Sequence, residues 1–252
     1  MTDILRKRFG LLGRNINYSF SKGYFTDKFN TENFEGCTYE NFDIPEISSF
    51  PELVKNNSDL KGLNVTIPYK EVVIPFLTKL SKKAAVIGAV NTIKFTKKGK
   101  LKGYNTDYYG FKKSLEPLLQ SHHKKALILG TGGASKGVAY ALDELCIAYT
   151  FVSRQANEKV LGYNQITDLV FDEYQIIINS TPVGTSPNTE AYPEIPYNFF
   201  TKKHIAYDLI YNPAETQFLK KAKAQGAQIK NGLDMLVFQA EKAWEIWNFQ
   251  KK

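Results

Sequence analysis

Short apolar segments separated by polar turns make up roughly the first hundred residues, a pattern typical of mixed α/β structure. The polar segment ending at Ser21 leads into a predicted helix over 22–29. The Lys-Lys-Gly-Lys run from Lys97 to Lys100 predicts a hairpin turn. The predicted strands of this part are 8–12, 38–42, 62–67, 89–95 and 101–104. A hairpin beside strands joined by longer connections predicts a mixed sheet rather than a purely parallel one.

From about Asp107 the pattern changes to a regular alternation of strands and helices. The predicted strands here are 126–129, 149–153, 175–179, 204–209 and 228–230. After the first of them, Val138, Ala141, Leu142 and Leu145 recur at helical spacing. Such alternation predicts an open, doubly wound sheet with helices on both faces.

The C-terminal segment has an amphipathic pattern of its own. Leu236, Ala240, Ala243 and Trp247 fall on one face of a predicted helix. We expect this helix to pack back toward the N-terminal part of the chain, because its apolar face needs an apolar surface to cover it.

Together these patterns predict an α/β fold of two domains. An N-terminal mixed-sheet domain covers 1–105 and includes the returning helix 235–252, and a doubly wound domain covers 106–234. With 252 residues and 43% apolar content, the chain is long enough to bury both cores. No leader and no long apolar run is evident, which predicts a cytoplasmic protein that does not bind membranes.

The charge and the cysteines argue against several functional classes. The formal net charge is +8, but the lysines occur in scattered pairs such as Lys97-Lys98, with no basic helix. A nucleic-acid-binding protein concentrates its basic residues on one face, so no nucleic-acid partner is predicted. Cys37 and Cys146 stand far apart without a companion motif, which predicts buried, reduced thiols and no metal site.

A glycine-rich turn follows the predicted strand 126–129. Gly130, Gly132 and Gly133 come first, and the small Ser135 holds the next position of the pattern, where glycine or alanine is usual. Glycines let the backbone turn sharply and approach a ligand, and free N–H groups at the helix start attract a pyrophosphate. The turn predicts a dinucleotide site, although a glycine cluster alone is also typical of an ordinary turn.

The end of the next predicted strand indicates which dinucleotide binds. An acidic residue there bonds the ribose 2′-hydroxyl of NAD, whereas an arginine suits the 2′-phosphate of NADP. The strand ends in Ser153 and Arg154, with no acid at its tip. We therefore predict NADP, held by Arg154 with help from Ser153 and Lys159. An ordinary exposed arginine is the alternative.

Polar clusters stand at the ends of predicted strands in the N-terminal domain. They are 64–70, 87–92 and 103–107. Strand ends in open α/β sheets line the crevice where ligands bind. Lys70 and Asp107 are suited to act as a proton donor and its charge partner. Pro68 and the Glu-Val-Val-Ile run after Lys70 also predict a helix start there. Taken singly, Lys70 is typical of a surface lysine and Asp107 of a helix N-cap.

Eight segments, in order over nearly the whole chain, form a recognisable set of motifs. They are Tyr18-Ser-Phe-Ser21, Asn64-Val-Thr-Ile-Pro-Tyr-Lys70, Ile87-Gly-Ala-Val-Asn-Thr92, Asn105-Thr-Asp107, Gly130-Thr-Gly-Gly-Ala134, Asn179-Ser-Thr-Pro-Val-Gly184, Asp208-Leu-Ile-Tyr-Asn-Pro213 and Gly232-Leu-Asp-Met-Leu-Val-Phe-Gln-Ala240. The set resembles the shikimate dehydrogenases, NADP-dependent enzymes that reduce 3-dehydroshikimate to shikimate. The resemblance implies a substrate-binding N-terminal domain and a Rossmann-like NADP-binding domain. It also implies a small-molecule reaction without a metal, in a monomer or homodimer.

The resemblance also assigns residues to roles. Lys70 and Asp107 become the catalytic pair. The side chains that hold the substrate are Ser19, Ser21, Thr66, Asn91, Tyr211 and Gln239. The cofactor is held by Gly130, Gly132, Gly133, Ala134, Ser153, Arg154, Thr181 and Gly232. Hydroxyl and amide side chains suit a polyhydroxylated acid, because each of its polar groups must find a partner. Helix capping by Ser19 and Ser21, and a backbone hydrogen bond from Gln239, are the structural alternatives.

The chain departs from the family's pattern at two places. Tyr18 and Lys22 stand where a histidine and a proline are usual, and Lys22 adds positive charge beside the serines. In the loop after the strand 175–179, which lies near the nicotinamide in the family, Pro182 and Thr185 replace a serine and a methionine. Two alternatives stay open: a quinate or shikimate dehydrogenase of broader substrate or NAD use, and a ligand-sensing homologue without turnover. Retention of the catalytic pair favours an enzyme.

Overall fold

The structure, a computed structural model, describes residues 6–16 and 19–248, so Tyr18 lies outside the described residues. The chain divides into two compact units. Unit 1 comprises Met1–Thr106 and Ala240–Lys252, and unit 2 comprises Asp107–Gln239. The sequence prediction placed the divisions after residues 105 and 234. No helix within the described ranges has the length and apolar character needed to cross a membrane.

Unit 1 is built on a six-stranded sheet. Its elements are β1 (Lys7–Gly13), α1 (Phe20–Thr31), β2 (Cys37–Asp43), α2 (Phe50–Asn56), β3 (Leu60–Val65), β4 (Lys79–Leu80), α3 (Lys82–Ile87), β5 (Thr92–Phe95) and β6 (Leu101–Tyr104). The strand order is β2-β1-β3-β5-β6-β4. β1 pairs in parallel with β2 and β3, whereas β5 pairs antiparallel with β3 and β6. The mixed sheet predicted from the sequence is confirmed.

The two faces of this sheet carry different cores, because successive residues of a strand point to opposite sides. Phe9 of β1 belongs to an aromatic cluster, where its ring centroid lies 4.9 Å from that of Trp247. Leu12 of the same strand belongs to an aliphatic cluster. Trp247 comes from the C-terminal helix, Leu233–Asn248, and donates from its indole Nε1 to the Ile93 carbonyl at 3.0 Å. The last turns of that helix therefore cover part of the unit 1 sheet.

Gly62 of β3 sets how closely Trp247 approaches the sheet, since a Cβ at this position would clash with the indole ring. We expect Gly62→Ala to lower the free energy of unfolding by about 2 kcal/mol, because overpacking a core contact costs roughly 1–3 kcal/mol. Urea denaturation followed by tryptophan fluorescence measures the change. Gly23 of α1 is the control, because it is exposed and its Cβ would meet nothing within 4 Å. Gly23→Ala should stabilise by up to about 1 kcal/mol, and equal effects of the two changes would contradict this packing.

Unit 2 is an open sheet of six parallel strands. Its elements are α4 (Asp107–Leu115), β7 (Lys125–Leu129), α5 (Gly133–Glu144), β8 (Ala148–Ser153), β9 (Val160–Gly162), α6 (Asp168–Glu173), β10 (Ile176–Asn179), β11 (Ile205–Asp208), α7 (Gln217–Ala224), β12 (Gln228–Lys230) and α8 (Leu233–Asn248), which continues into unit 1. The order β12-β11-β10-β7-β8-β9 places the unit's first strand in the middle, with β8 and β9 on one side and the later strands on the other. This is the order of a dinucleotide-binding doubly wound sheet, so the predicted Rossmann-like fold is confirmed.

The central strands of unit 2 carry continuous apolar runs, as expected for a sheet covered on both faces. Ile176, Ile177 and Ile178 of β10 are completely buried. At the carboxyl ends of β10 and β11 the buried residues become polar, with Asn179 and Asp208 side by side. This edge of a doubly wound sheet is where ligands bind.

Two local predictions are wrong. No α-helix begins at Lys70, because the chain there forms turns followed by a 3₁₀ helix, Ile74–Phe76. Pro75 explains the difference, since it has no N–H to donate and disfavours α-helical backbone at the residue before it. Cys146 is exposed rather than buried, in a turn after α5 where its φ is 56°.

Positive charge is concentrated at one edge of unit 1. Residues 72–106 contain eight lysines and no acidic residue, and the rest of the chain has as many acidic as basic residues. Lys79, Lys102 and Lys94 are neighbours in register across β4, β6 and β5. The lysines are therefore less scattered than their pairing along the sequence suggested, and this edge attracts anions.

Candidate active site

Four buried polar residues, Asn64, Asn91, Thr92 and Thr106, form a cluster at the ends of β3, β5 and β6 in unit 1. The Thr106 backbone N–H donates to Asn91 Oδ1 at 2.6 Å, and Asn91 Nδ2 donates to Thr106 Oγ1 at 3.0 Å. Thr92 Oγ1 donates to Asn91 Oδ1 at 3.1 Å. Asn64 Nδ2 donates to Thr92 Oγ1 at 3.3 Å. The structure thus holds Asn91, a predicted substrate residue, within a buried network, and such networks fix side-chain geometry.

The two serines at the start of α1 have different surroundings. Ser19 is the N-cap of α1, and its Oγ accepts a hydrogen bond from the Lys22 backbone N–H at 3.3 Å. Helix capping, the structural alternative that the sequence offered for Ser19, is therefore present. Ser21 is buried in unit 1, whereas Ser19 is only partly covered.

Lys70 and Thr66 lie in the segment that follows β3, and both side chains are half-buried. The Lys70 carbonyl accepts a hydrogen bond from Val90 N–H at 2.7 Å, next to Asn91 in the chain. This bond ties the Lys70 segment to the cluster of unit 1. Asp107 belongs to unit 2, where it is buried and is the first residue of α4. A carboxylate at a helix start is favoured by the helix dipole, so the structural alternative for Asp107 also has physical support.

The glycine turn between β7 and α5 has the backbone that a dinucleotide requires. Gly130 has a φ of +104°, in the left-handed region that favours glycine. Gly132 is the N-cap of α5, Gly133 is its first residue, and Ala134 follows half-buried. A Cβ at Gly132 would meet nothing within 4 Å, which leaves open space at the N-terminus of a twelve-residue helix. A pyrophosphate fits there, because the helix start presents unpaired N–H groups.

Arg154 follows the end of β8 and is exposed. It makes no ion pair with a carboxylate in the part of the chain that the structure describes. Its charge acts on Tyr163, whose pKa is raised by burial and lowered in part by the guanidinium. Ser153 ends the strand and accepts from Gln155 N–H at 3.4 Å, and Lys159 is exposed in the loop that follows. Arg154 suits a 2′-phosphate, since its guanidinium has no carboxylate partner among the described residues.

Thr181 is held by the end of β10. Its backbone N–H and its hydroxyl both donate to Asn179 Oδ1, at 3.1 and 2.6 Å. Asn179 in turn donates from Nδ2 to Asp208 Oδ1 on β11 at 3.1 Å. Next along this loop, the N–H of Thr185 donates to the carbonyl of Pro182 at 3.2 Å, which closes a turn. The loop that departs from the family's pattern is thus anchored at its start by Asp208.

Asp208 was not singled out by the sequence reasoning, although it occupies the centre of this part of unit 2. It is completely buried, and its carboxylate accepts from Asn179, from the Ile210 N–H at 3.0 Å and from Thr216 Oγ1 at 2.6 Å. Burial raises the pKa of Asp208 to about 6, although the three donors oppose the rise. The sequence does contain a signal for this residue, because an acid directly follows the apolar run Ile-Ala-Tyr. An acid buried at the end of such a strand needs hydrogen-bonding partners.

The last three predicted site residues lie toward the end of unit 2. Gly232 is buried and its N–H donates to the Ile210 carbonyl at 3.0 Å, and a Cβ there would clash with the Leu209 backbone. Tyr211 is half-buried between β11 and α7. Gln239 is buried on α8 and donates from Nε2 to the Leu236 carbonyl at 3.0 Å, so the predicted structural alternative is present. Gly232 is required for packing whether or not it also contacts a cofactor.

The fold and these residues define a class of protein. Unit 2 has the strand order and the glycine turn of an NADP-binding fold. It also has Arg154, which makes no ion pair with a carboxylate among the described residues. Unit 1 has a fixed cluster of amide and hydroxyl groups beside a lysine segment, which suits a small polyhydroxylated molecule. Within 6–16 and 19–248, no three His, Cys, Asp or Glu side chains are grouped to hold a metal ion. The features are those of a dinucleotide-dependent oxidoreductase.

Comparisons with known proteins specify the family. Residues 11–93 match the family model of the shikimate dehydrogenase substrate binding domain. The shikimate dehydrogenase (NADP(+)) of Caldicellulosiruptor saccharolyticus is 36% identical over 96% of this chain and 92% of its own length. The crystal structure of Thermus thermophilus shikimate 5-dehydrogenase in complex with NADP(H) and shikimate is 31% identical, with a TM-score of 0.85 over 96% of this chain and 93% of that chain.

A quinate dehydrogenase is also similar. The Corynebacterium glutamicum enzyme in complex with NAD is 26% identical, with a TM-score of 0.85 over 96% of this chain and 94% of that chain. The fold alone therefore does not separate the two activities, and the higher identity lies with the NADP-dependent shikimate enzymes. The chain belongs to the shikimate dehydrogenase family.

Proposed function

We propose that this protein reduces 3-dehydroshikimate to shikimate with NADPH. The observation that carries the proposal is the similarity to an NADP-dependent shikimate dehydrogenase over 96% of the chain. That span includes both the polar cluster of unit 1 and the glycine turn of unit 2. A match to unit 2 alone would have indicated only the cofactor.

The reaction needs a hydride, a proton and a fixed substrate. Bound NADPH supplies the hydride for the ring ketone. Lys70 donates a proton to the ketone oxygen, where negative charge develops as the carbonyl is reduced. Asp107, the second residue of the predicted catalytic pair, accepts a hydrogen bond from a substrate hydroxyl. In the reverse direction Lys70 removes the proton.

Unit 1 carries most of the substrate-binding residues in this proposal. The carboxylate and hydroxyl groups are assigned to Ser19, Ser21, Thr66 and Asn91 of unit 1 and to Tyr211 and Gln239 of unit 2. Asn91 supports this role best, because its amide is already oriented by the Thr106 backbone N–H. The lysines of residues 72–106 add a positive potential that favours the approach of an anionic substrate.

Unit 2 is the NADP-binding part. Gly130, Gly132, Gly133 and Ala134 surround the pyrophosphate, and Ser153 and Arg154 bind the 2′-phosphate. Thr181 and Gly232 complete the cofactor site. The open space at Gly132 and the absence of a carboxylate partner for Arg154 among the described residues support these assignments.

Arg154→Ala should raise KM for NADPH about 20-fold and leave KM for NADH within twofold. A charge-assisted hydrogen bond to the phosphate is worth roughly 1.5–3 kcal/mol. NADH has no 2′-phosphate, so the substitution removes no such bond from its complex. Steady-state kinetics with each cofactor measures the ratio. Lys202→Ala is the control, since it removes an exposed charge of unit 2 that has no assigned role, and it should leave both KM values within twofold. Equal losses for NADPH and NADH in Arg154→Ala would show that Arg154 does not read the phosphate.

The activity itself is tested by following oxidation of NADPH and of NADH with 3-dehydroshikimate and with 3-dehydroquinate. We expect the highest kcat/KM for NADPH with 3-dehydroshikimate. A preference for NADH with 3-dehydroquinate would identify a quinate dehydrogenase instead. Binding of NADPH and 3-dehydroshikimate in calorimetry without turnover would identify a ligand-sensing homologue.

The cellular setting is part of the same proposal. The protein acts in the cytoplasm, as a monomer or homodimer, and without a nucleic-acid partner. The molar mass from light scattering, measured on the protein as it elutes from a size-exclusion column, decides between monomer and homodimer.

A further inference from the structure

Tyr39 of β2 is linked through Asn64 to Asn91, a predicted substrate-binding residue of unit 1. It is buried, and its ring stacks on Phe25 of α1 with centroids 4.7 Å apart and planes 12° apart. β1 separates β2 from β3 in the sheet, and the tyrosine side chain is long enough to reach past it. The Tyr39 hydroxyl donates to Asn64 Oδ1 on β3 at 2.8 Å.

The direction of this hydrogen bond follows from backbone groups. Asn64 Nδ2 donates to the Asn91 carbonyl at 3.3 Å, and a carbonyl can only accept. The amide oxygen of Asn64 must therefore face Tyr39, whose hydroxyl is the donor. The Thr106 N–H fixes the Asn91 amide in the same manner. The cluster at the strand ends is thus oriented by the main chain, and Tyr39 joins it in one defined orientation.

The hydrogen bonds continue from Asn64 to the Asn91 side chain. Asn64 Nδ2 also donates to Thr92 Oγ1 at 3.3 Å, and Thr92 Oγ1 donates to Asn91 Oδ1 at 3.1 Å. Tyr39 is therefore linked through Asn64 to the amide of Asn91. Small errors in the position of binding groups are costly to recognition and catalysis, so a fixed Asn91 amide has a functional value.

We propose that Tyr39 is a positioning residue that holds the Asn64–Asn91 cluster in one geometry for the substrate. This inference rests on the proposed function, because it assumes that Asn91 contacts the substrate. Tyr39 does not touch the reacting atoms, so its loss weakens substrate binding and leaves the chemical step intact.

Tyr39→Phe tests the inference, because it keeps the ring that stacks on Phe25 and removes only the hydroxyl. We expect KM for 3-dehydroshikimate to rise about tenfold, with kcat and KM for NADPH within twofold, as for a residue that acts on binding. Tyr174→Phe is the matched control, since it removes a hydroxyl that bonds Thr150 Oγ1 at 2.9 Å in unit 2. Both variants should lose some thermal stability, and only Tyr39→Phe should change KM for the substrate.

A double-mutant cycle separates positioning from a general loss of stability. Asn64→Ala should raise KM for 3-dehydroshikimate, and adding Tyr39→Phe should raise it less than twofold further, because the two residues act through one hydrogen bond. Independent, multiplying effects would overturn the inference, as would an unchanged KM in Tyr39→Phe. A wild-type protein without turnover would overturn the proposed function and this inference together, whereas an active wild type with an unaffected Tyr39→Phe variant overturns the inference alone.

Discussion

Replacing Lys70 by methionine lowers kcat for 3-dehydroshikimate reduction by about 10³-fold. Methionine keeps most of the length and the apolar stem of lysine and removes the ammonium group. General acid catalysis contributes roughly 10²–10⁴-fold to such reactions, and no other lysine is assigned to the ketone oxygen. KM for 3-dehydroshikimate should change by only a few fold, because the loss falls mainly on the transition state.

Stopped-flow and steady-state kinetics measure this loss, and calorimetry checks that 3-dehydroshikimate still binds. Lys79→Met is the control, because Lys79 is exposed on β4 and makes no ion pair among the described residues. It should keep wild-type kcat. If Lys70→Met retains kcat within tenfold of wild type, Lys70 is not the proton donor, and the surface-lysine alternative stands.

Asp208 should make the protein less stable as the pH rises from about 4 to about 6. Its pKa in the folded protein is about 6, raised by burial above the ordinary value of 3.8. Between those values the folded protein keeps a proton that the unfolded chain has released. Stability therefore falls with increasing pH through this range and levels off above it. A difference of about two pKa units corresponds to roughly 3 kcal/mol.

The Asp208→Asn variant cannot titrate at this position, so it isolates the effect. We expect the free energy of unfolding of the wild type, minus that of the variant, to fall by about 2 kcal/mol between pH 4 and pH 7. Urea denaturation across this pH range measures the difference. Asp172→Asn, which removes an exposed carboxylate of α6, is the control and should follow the wild type. A difference that stays constant, or rises with pH, would show that the Asp208 carboxylate is not held at a raised pKa.

Elements with a clear apolar pattern of their own could be predicted from the sequence. The Ile-Ile-Ile run of β10 and the spaced apolar residues of α5 are examples. β4 and β9 were missed, since neither shows such a pattern in its two or three residues. β12 is also three residues long, but its place in the regular strand–helix alternation predicted it. A helix start was predicted at Lys70, and it is wrong because Pro75 disfavours α-helical backbone there.

The residues of the candidate site also differ in how far the sequence predicts them. The glycine turn and Arg154 were predicted from spacing within one strand–helix unit, where local sequence decides the geometry. The role of Asp208 was missed because its partners, Asn179, Ile210 and Thr216, come from separate segments that only the folded sheet brings together. Tyr39 was missed for the same reason, since its hydroxyl bonds a residue two strands away.

The function proposed for this protein is hydride transfer from NADPH to the ring ketone of 3-dehydroshikimate. Isotope labelling tests it: the reaction is run with NADPH that carries deuterium on the transferring face of the nicotinamide, and the product is analysed by NMR. We expect shikimate with deuterium on the carbon that was the ketone. Shikimate without deuterium at that carbon, or no shikimate at all while both ligands bind, would contradict it.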